Sequence, residues 1–340
     1  NPSATYYVRA YAINSVGTGY GPEKSFTTDD QAPPTVSTNS ASNITQTSAT
    51  GNGTIDNLGV PDPTAHGFCW NTTGSPTTSD NSTNLGGTSS TGSFSDYLSG
   101  LSPNTIYYVK AYATNDAGTD YGSQVSFETE GPPSITSCQS DINDANTSDD
   151  DYGDCNTAVS YTVTADGNPS PSYSYEFTGA TTGTGSGTGS GSAFNKGTTD
   201  VTVTATNTHG TATCSFSVTV SDNENPTVTA ASNVTANTSD DGTGDCATDV
   251  AIPDATFGDN CSGSSLTWTM SGATTGSGSG QVGTYNFAEG TTTIDYTVTD
   301  ASSLTANDQL TVSVTDNELP TVVTQDVTLE LDASGSASIT

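Results

Sequence analysis

Four segments of the chain alternate apolar and polar side chains with a period of two, and this pattern limits the possible fold more than any other feature. Val201, Val203 and Ala205 form the first set, Phe216, Val218 and Val220 the second, Ile294, Tyr296 and Val298 the third, and Leu310, Val312 and Val314 the fourth. The residues between them are Thr, Ser or Asp. Such alternation places one face of a strand against a core and the other in solvent. Low apolar content (30%) and a net charge of −33 would also suit a disordered chain, but a disordered chain has no reason to keep this register. No stretch repeats apolar residues at helical spacing, and runs of Thr, Ser, Gly and Asn supply turn chemistry between strands. The expected class is all-β.

A chain of 340 residues exceeds the size at which one core keeps growing, and β-sandwich modules run to about 100 residues. Internal repeats give the same scale. TYYVRAYAINSVGTGYG at 5–21 recurs as IYYVKAYATNDAGTDYG at 106–122, so that Tyr6 matches Tyr107 and Phe26 matches Phe127 at an offset of 101. SDNENPTV at 221–228 recurs as TDNELPTV at 315–322, and YEFTGATTGTGSG from Tyr175 recurs as WTMSGATTGSGSG from Trp268.

The LSPNT approach to Tyr107, and GFCW at 67–70 with Trp70 in a central strand, resemble a fibronectin type III domain. That resemblance makes Tyr107 the corner tyrosine. The second repeat combines a Cys-containing acidic loop, a GTTTI-type strand and a closing VTVSDNENP strand. It resembles the hyalin-repeat modules of extracellular proteins, and the combination is similar to surface adhesins of gliding Bacteroidetes. The division expected is the end of a fibronectin-like module at 1–30, a whole one at 31–131, hyalin-type immunoglobulin-like modules at 132–225 and 226–318, and the start of another at 319–340. Two strands cannot bury a face alone, so residues 1–30 are expected to complete a module begun upstream. Val327, Leu329 and Leu331 are expected to open the last one. Together these imply tandem immunoglobulin-like β-sandwiches set end to end as an extended rod.

Thirty-seven acidic residues face only Arg9, Lys24, Lys110 and Lys196. Phosphate backbones are held by clustered Lys and Arg, so nucleic acid is excluded as a partner, and anionic lipid is repelled too. No apolar run approaches the roughly 18 residues of a membrane span, and residues 1–30 lack a signal-peptide pattern.

Comparing the two hyalin-like copies suggests how the six cysteines are used. Cys138 and Cys214 are both missing from the second copy, which pairs them with each other. Cys246 aligns with Cys155, whereas Cys261 has no counterpart, and the expectation is a Cys246–Cys261 bond. Cys155 is then left over, and Cys69 is a buried free thiol. The competing arrangement joins Cys155 to Cys138 or Cys214. Disulfides imply an oxidising, extracellular compartment.

Sandwich topology brings particular acidic residues together. In the first hyalin-like copy Asp149, Asp150, Asp151 and Asp154 are expected near Asp222, Asn223 and Glu224, facing Asp254, Asp259, Asn260 and Asp300 of the next module. Asp240, Asp241 and Asp245 with Asp316, Asn317 and Glu318 should repeat the arrangement. Ca²⁺ takes six to eight oxygens from carboxylates, carbonyls and water, and DNENP also resembles the calcium-binding junction of cadherins, with Glu224 where that motif has Asp. The competing reading is that these residues are solvated turns keeping a charged chain soluble.

Signals of catalysis are weak. His66 and His209 are the two imidazoles, and both read as local structural residues. The Gly-rich runs at 183–192 and 276–283 lack the Lys and helix of a phosphate loop and read as loops. The expected role is therefore non-catalytic, the stalk of a large surface adhesin or fibre. Its partners would be neighbouring modules, with extracellular glycans or other fibre subunits as further candidates. The competing role is that of accessory modules of a secreted polysaccharide-degrading enzyme.

Overall fold

The computed structural model describes residues 1–150, 153–242, 244–320 and 322–337. Among them the regular structure is almost wholly β-strand, mostly in antiparallel pairs, with two single-turn 3₁₀ helices at Thr147–Asp150 and Thr238–Asp240. No helix of the described residues is long and apolar enough to cross a membrane. The chain divides into two compact units, one of Asn1–Asn143, Val159–Ser192 and Thr198–Val218, the other of Asp144–Ala158, Ala193–Gly197 and Thr219–Thr340.

In the first unit, strands Thr35–Ser42, Ser48–Asn57 and Gly92–Ser99 form a three-stranded sheet. Ile106–Asn115 is the hub of a second sheet, pairing with Ala65–Asn71, Gly118–Tyr121 and Val125–Glu128. The inward residues of both sheets, among them Val36, Ile55, Phe68, Trp70, Leu98, Val109 and Phe127, make one core. This is a two-sheet sandwich, and Tyr107 has the corner geometry its motif implies, its hydroxyl accepting from the Ser102 N–H at 3.0 Å.

A five-stranded sheet follows in the order Ile142–Asn146, Gly210–Ser221, Gly197–Asn207, Ser172–Gly179, Gly183–Ser186. The second unit holds its counterpart, in the order Val234–Asn237, Thr305–Thr315, Gly290–Thr299, Ser265–Gly272, Gly276–Ser279. Val234–Asn237 runs parallel to Thr305–Thr315 and the remaining pairs are antiparallel. A smaller pair, Ala247–Ala251 with Thr284–Ala288, contributes Val250 and Phe287 to a core shared with Trp268, Ile294, Tyr296 and Leu310. All four alternating segments bury their apolar sets.

The Gly-rich runs differ from expectation. Part of each is an edge strand, Gly183–Ser186 against Ser172–Gly179 and Gly276–Ser279 against Ser265–Gly272. Glycine is a poor strand former that marks close approach, and here it makes room for a ring. A Cβ on Gly185 would lie 2.7 Å from Tyr175, and one on Gly278 would lie 2.4 Å from Trp268.

Residues 1–27 form two hairpin-like pairs, Thr5–Val8 with Lys24–Thr27 and Tyr11–Asn14 with Gly17–Tyr20, exposed throughout. Residues 319–337 hold no strand among those described, and Val327, Leu329 and Leu331 are exposed despite their alternation.

Candidate functional site

Within the second unit, the chain leaving strand Gly210–Ser221 turns its first linker residue inward. The Asp222 side chain is fully buried (0% exposed) and takes the Lys196 ammonium at 3.1 Å. Ser302 donates to the same carboxylate oxygen at 3.0 Å, and the Lys196 ammonium also donates to the Ser302 hydroxyl. The other oxygen accepts from Thr147 Oγ1 at 3.4 Å and from the Glu224 N–H at 3.3 Å. Burial opposes the charge on Asp222, but Lys196, Ser302 and the Glu224 N–H outweigh it and hold the carboxyl below its usual range.

Two turns close on the same place. Asp259 Oδ2 accepts from the Cys261 N–H at 3.1 Å, and Asp300 Oδ1 accepts from the Ser302 and Leu304 N–H groups at 2.8 and 2.7 Å. These are the local side-chain-to-backbone bonds that make Asp a turn residue. Asn260 Nδ2 donates to the Asp154 carbonyl at 3.2 Å. The remaining side-chain oxygens, Asp259 Oδ1, Asn260 Oδ1 and Asp300 Oδ2, are buried without a hydrogen-bond partner. Burial, reinforced by the charges of Asp222 and Asp300, pushes the Asp259 carboxyl up.

The structure therefore brings Asp222, Asp259, Asn260 and Asp300 into one region. Asp154 joins through its carbonyl, Asn223 by accepting from the Ser148 N–H at 3.3 Å, and Glu224 through its backbone. Asp149 is exposed and spends a carboxylate oxygen on the Asn146 N–H at 2.7 Å. Asp254 is exposed, and its charge adds to the burial that raises the Tyr296 hydroxyl. Asp151 and the side chain of Asp150 lie outside the described residues.

The sulfurs correct one expectation. Cys138 bonds Cys214, but Cys261 bonds Cys155, and Cys246 is exposed and free. The Asn260–Asp154 hydrogen bond holds the Cys261 loop beside Cys155. Cys246, just before strand Ala247–Ala251, instead lines a hollow with Asp316, Asn317 and Glu318. One oxygen or sulfur from each of Asp222, Asp259 and Cys261 falls within 4.8 Å of the others, yet the Cys261 sulfur is committed to its disulfide, which leaves an all-oxygen donor set. Cys69 is buried in the first unit, and burial pushes its thiol up to about 11.

The second acidic group repeats the first nearly bond for bond. Asp240 accepts from the Asn237 N–H at 2.7 Å, Thr238 donates to Asp316 at 3.2 Å, Asn317 accepts from the Ser239 N–H at 3.2 Å, and Asp316 accepts from the Glu318 N–H at 2.9 Å. Asp245 accepts from the Ala247 N–H, and Asp241 from the Asp249 N–H. A hollow of about 560 Å³ opens there, lined by Asp245, Cys246, Asp316, Asn317 and Glu318 among others. The groups differ in burial, Asp222 being buried and Asp316 exposed, and in the residue that closes them. The N–H donating to the Cys155 carbonyl belongs to Lys196, and the one donating to the Cys246 carbonyl belongs to Glu289. The sequence pattern did not mark Lys196 as part of this group, although KGTTD in one copy stands as EGTTT in the other.

Both histidines are held by neighbours in the first unit. His66 Nδ1 lies 2.7 Å from the Gly86 carbonyl, and His209 lies between Gln46 and Glu130 at 3.0 Å each.

Sheet order and core define the class as tandem immunoglobulin-like and fibronectin-like β-sandwiches. No protein-family model matches the chain, and no curated protein matches it by sequence. Among solved structures it is similar to the I-band fragment I67–I69 from titin, at 12% identity over 84% of this chain and 99% of that one with a TM-score of 0.38. It is also similar to Sidekick-1 immunoglobulin domains 1–5, at 14% identity over 93% of this chain and 67% of that one with a TM-score of 0.29. A third is a Ca²⁺-stabilized adhesin described as helping an Antarctic bacterium bind ice, at 16% identity over 92% and 82% with a TM-score of 0.30. Likenesses this distant carry no functional argument.

Proposed function

We propose that this chain is a non-catalytic structural stretch of a secreted bacterial surface adhesin or fibre. Its modules would be 31–131, 132–225 and 226–318, flanked by parts of two others, and of the fibronectin type III and hyalin-repeat kinds found in Bacteroidetes-type adhesins. The observation that carries the reading is the recurrence of one polar network at the end of both hyalin-like sheets, sealed in the first case by Cys155–Cys261. A catalytic site needs its residues once, whereas a repeated linker network serves joints. The two disulfides support an oxidising, extracellular setting. Calcium is the proposed counter-charge at both acidic groups, where it would restrict bending between modules.

Small-angle X-ray scattering of the chain, with calcium and with chelator, tests this. Three modules of about 35–45 Å each, from strands of roughly 7–10 residues plus loops, give a long narrow particle that stiffens with calcium. A compact globule of the same mass, or specific turnover of a polysaccharide, would overturn it. Binding on a glycan array with no response to calcium would favour an accessory role beside a catalytic domain.

A further inference from the structure

The Asp222 region holds more negative charge than its own residues neutralise. The Lys196 ammonium pairs with Asp222 alone, while the charges of Asp222 and Asp300 both act on the neighbouring Asp259. Asp300 is only 5% exposed, and its Oδ2 has no partner. Asp259 Oδ1 and Asn260 Oδ1 are likewise buried and unpaired. Carboxylate and amide oxygens accept and never donate, so they cannot satisfy one another. Buried charges ordinarily require pairing or a metal.

We propose that Asp259, Asn260 and Asp300, beside Asp222, form the binding site of one oxygen-coordinated divalent cation of calcium's size, with Lys196 as its permanent neighbour. The proposal deepens the calcium reading above and rests on it. With Lys196 counted, the three carboxylates leave two negative charges, the amount a divalent ion cancels. A proton on Asp259 would cancel one and satisfy one oxygen. A water has two hydrogens for three oxygens and cancels no charge. The donors are all hard oxygens because the Cys261 sulfur is bonded to Cys155, which disfavours thiolate-seeking metals. They come from two irregular turns, at 259–261 and 300–304, and an irregular set completed by water or carbonyl oxygens suits Ca²⁺ better than the strict octahedron of Mg²⁺. The ion would tie those turns together next to the Cys155–Cys261 bond.

The test is calcium titration of the whole 340-residue chain by calorimetry, after chelator treatment, with melting curves in parallel. Asp300→Asn and Asp259→Asn keep an acceptor for the Ser302, Leu304 and Cys261 N–H groups while removing one charge each. Each should weaken one calcium site at least tenfold and shrink the calcium-induced rise in melting temperature. In chelator both should melt at or above the wild-type temperature, because uncompensated charge has gone. Asp316→Asn, in the other acidic group, should leave this site unchanged. If the wild-type chain gives neither binding heat nor a melting shift at millimolar calcium, the calcium reading fails and this inference fails with it. If the wild-type chain binds but Asp259→Asn and Asp300→Asn bind equally well, the ligand assignment alone is wrong. Variants that lose stability in chelator and keep the full calcium response would make the cluster purely structural and also overturn the inference.

Discussion

Replacing Lys196 with Met keeps most of the aliphatic stem and removes the only side-chain cation in contact with Asp222 among the described residues. The carboxylate has no exposed surface through which water could replace the ammonium. Stripping one partner from a buried ion pair costs about 3–5 kcal/mol. The lower end applies, because Lys196 is itself 29% exposed and Ser302, Thr147 and the Glu224 N–H remain to hold Asp222. At roughly 2–4 °C per kcal/mol for a unit of this size, Lys196→Met should lower the melting temperature in chelator by roughly 6–12 °C. Asp222→Asn in the same background should recover part of the loss, and the double-mutant cycle isolates the pair. The sign with pH follows from the depressed Asp222 carboxyl: the pair stabilises fully above the unfolded value, about 3.9, and its contribution is lost as pH falls through the lower folded value. The difference between wild type and Lys196→Met should therefore be full at pH 7 and vanish in strong acid. Melting curves that superimpose at pH 7 in chelator would refute the reasoning.

Other outcomes follow from the same geometry. Asp259 has the opposite sign to Asp222, since its carboxyl is raised: its contribution is present below about pH 3.9 and lost as pH rises through the folded value, so in chelator Asp259→Asn should flatten the fall in stability above pH 4. A non-reduced digest should yield a Cys155–Cys261 peptide and no Cys246–Cys261 peptide. Because Cys155 and Cys261 are 106 residues apart, replacing both with Ser should cost about 4–5 kcal/mol on the chain-entropy model, read as a lower melting temperature. Thiol alkylation of the native chain at pH 8 should label exposed Cys246 and spare Cys69, whose burial and raised value of about 11 suppress the thiolate. Gly278→Ala should destabilise by about 1–3 kcal/mol through overpacking against Trp268, and calorimetry would expose a neutral effect as a contradiction.

Strand content, the buried side of the four alternating strands and the repeat scale were readable from the sequence, because each rests on local periodicity. The acidic groups were readable as a neighbourhood, since topology alone brings Asp222 toward Asp259 and Asp300. Their internal roles were not. Asp149 and Asp240 are spent on local N–H groups, Lys196 supplies a charge from a distant strand end, and Cys261 takes Cys155 instead of Cys246.

The two fibronectin-like repeats separate what is local from what is not. Tyr6 pairs with Phe26 and Tyr107 with Phe127 in the same register, with rings stacked at 5.7 and 6.0 Å. Sequence determined that much in both places. Yet Tyr6 and Phe26 are 41% and 55% exposed, whereas Tyr107 and Phe127 are 7% and 8% exposed, because the second pair meets an opposing sheet. Alternation and turn residues act over a few neighbours and so are written in the chain. Burial, sulfur pairing and the neutralisation of a carboxylate depend on which distant segment arrives opposite, and only the tertiary structure decides that.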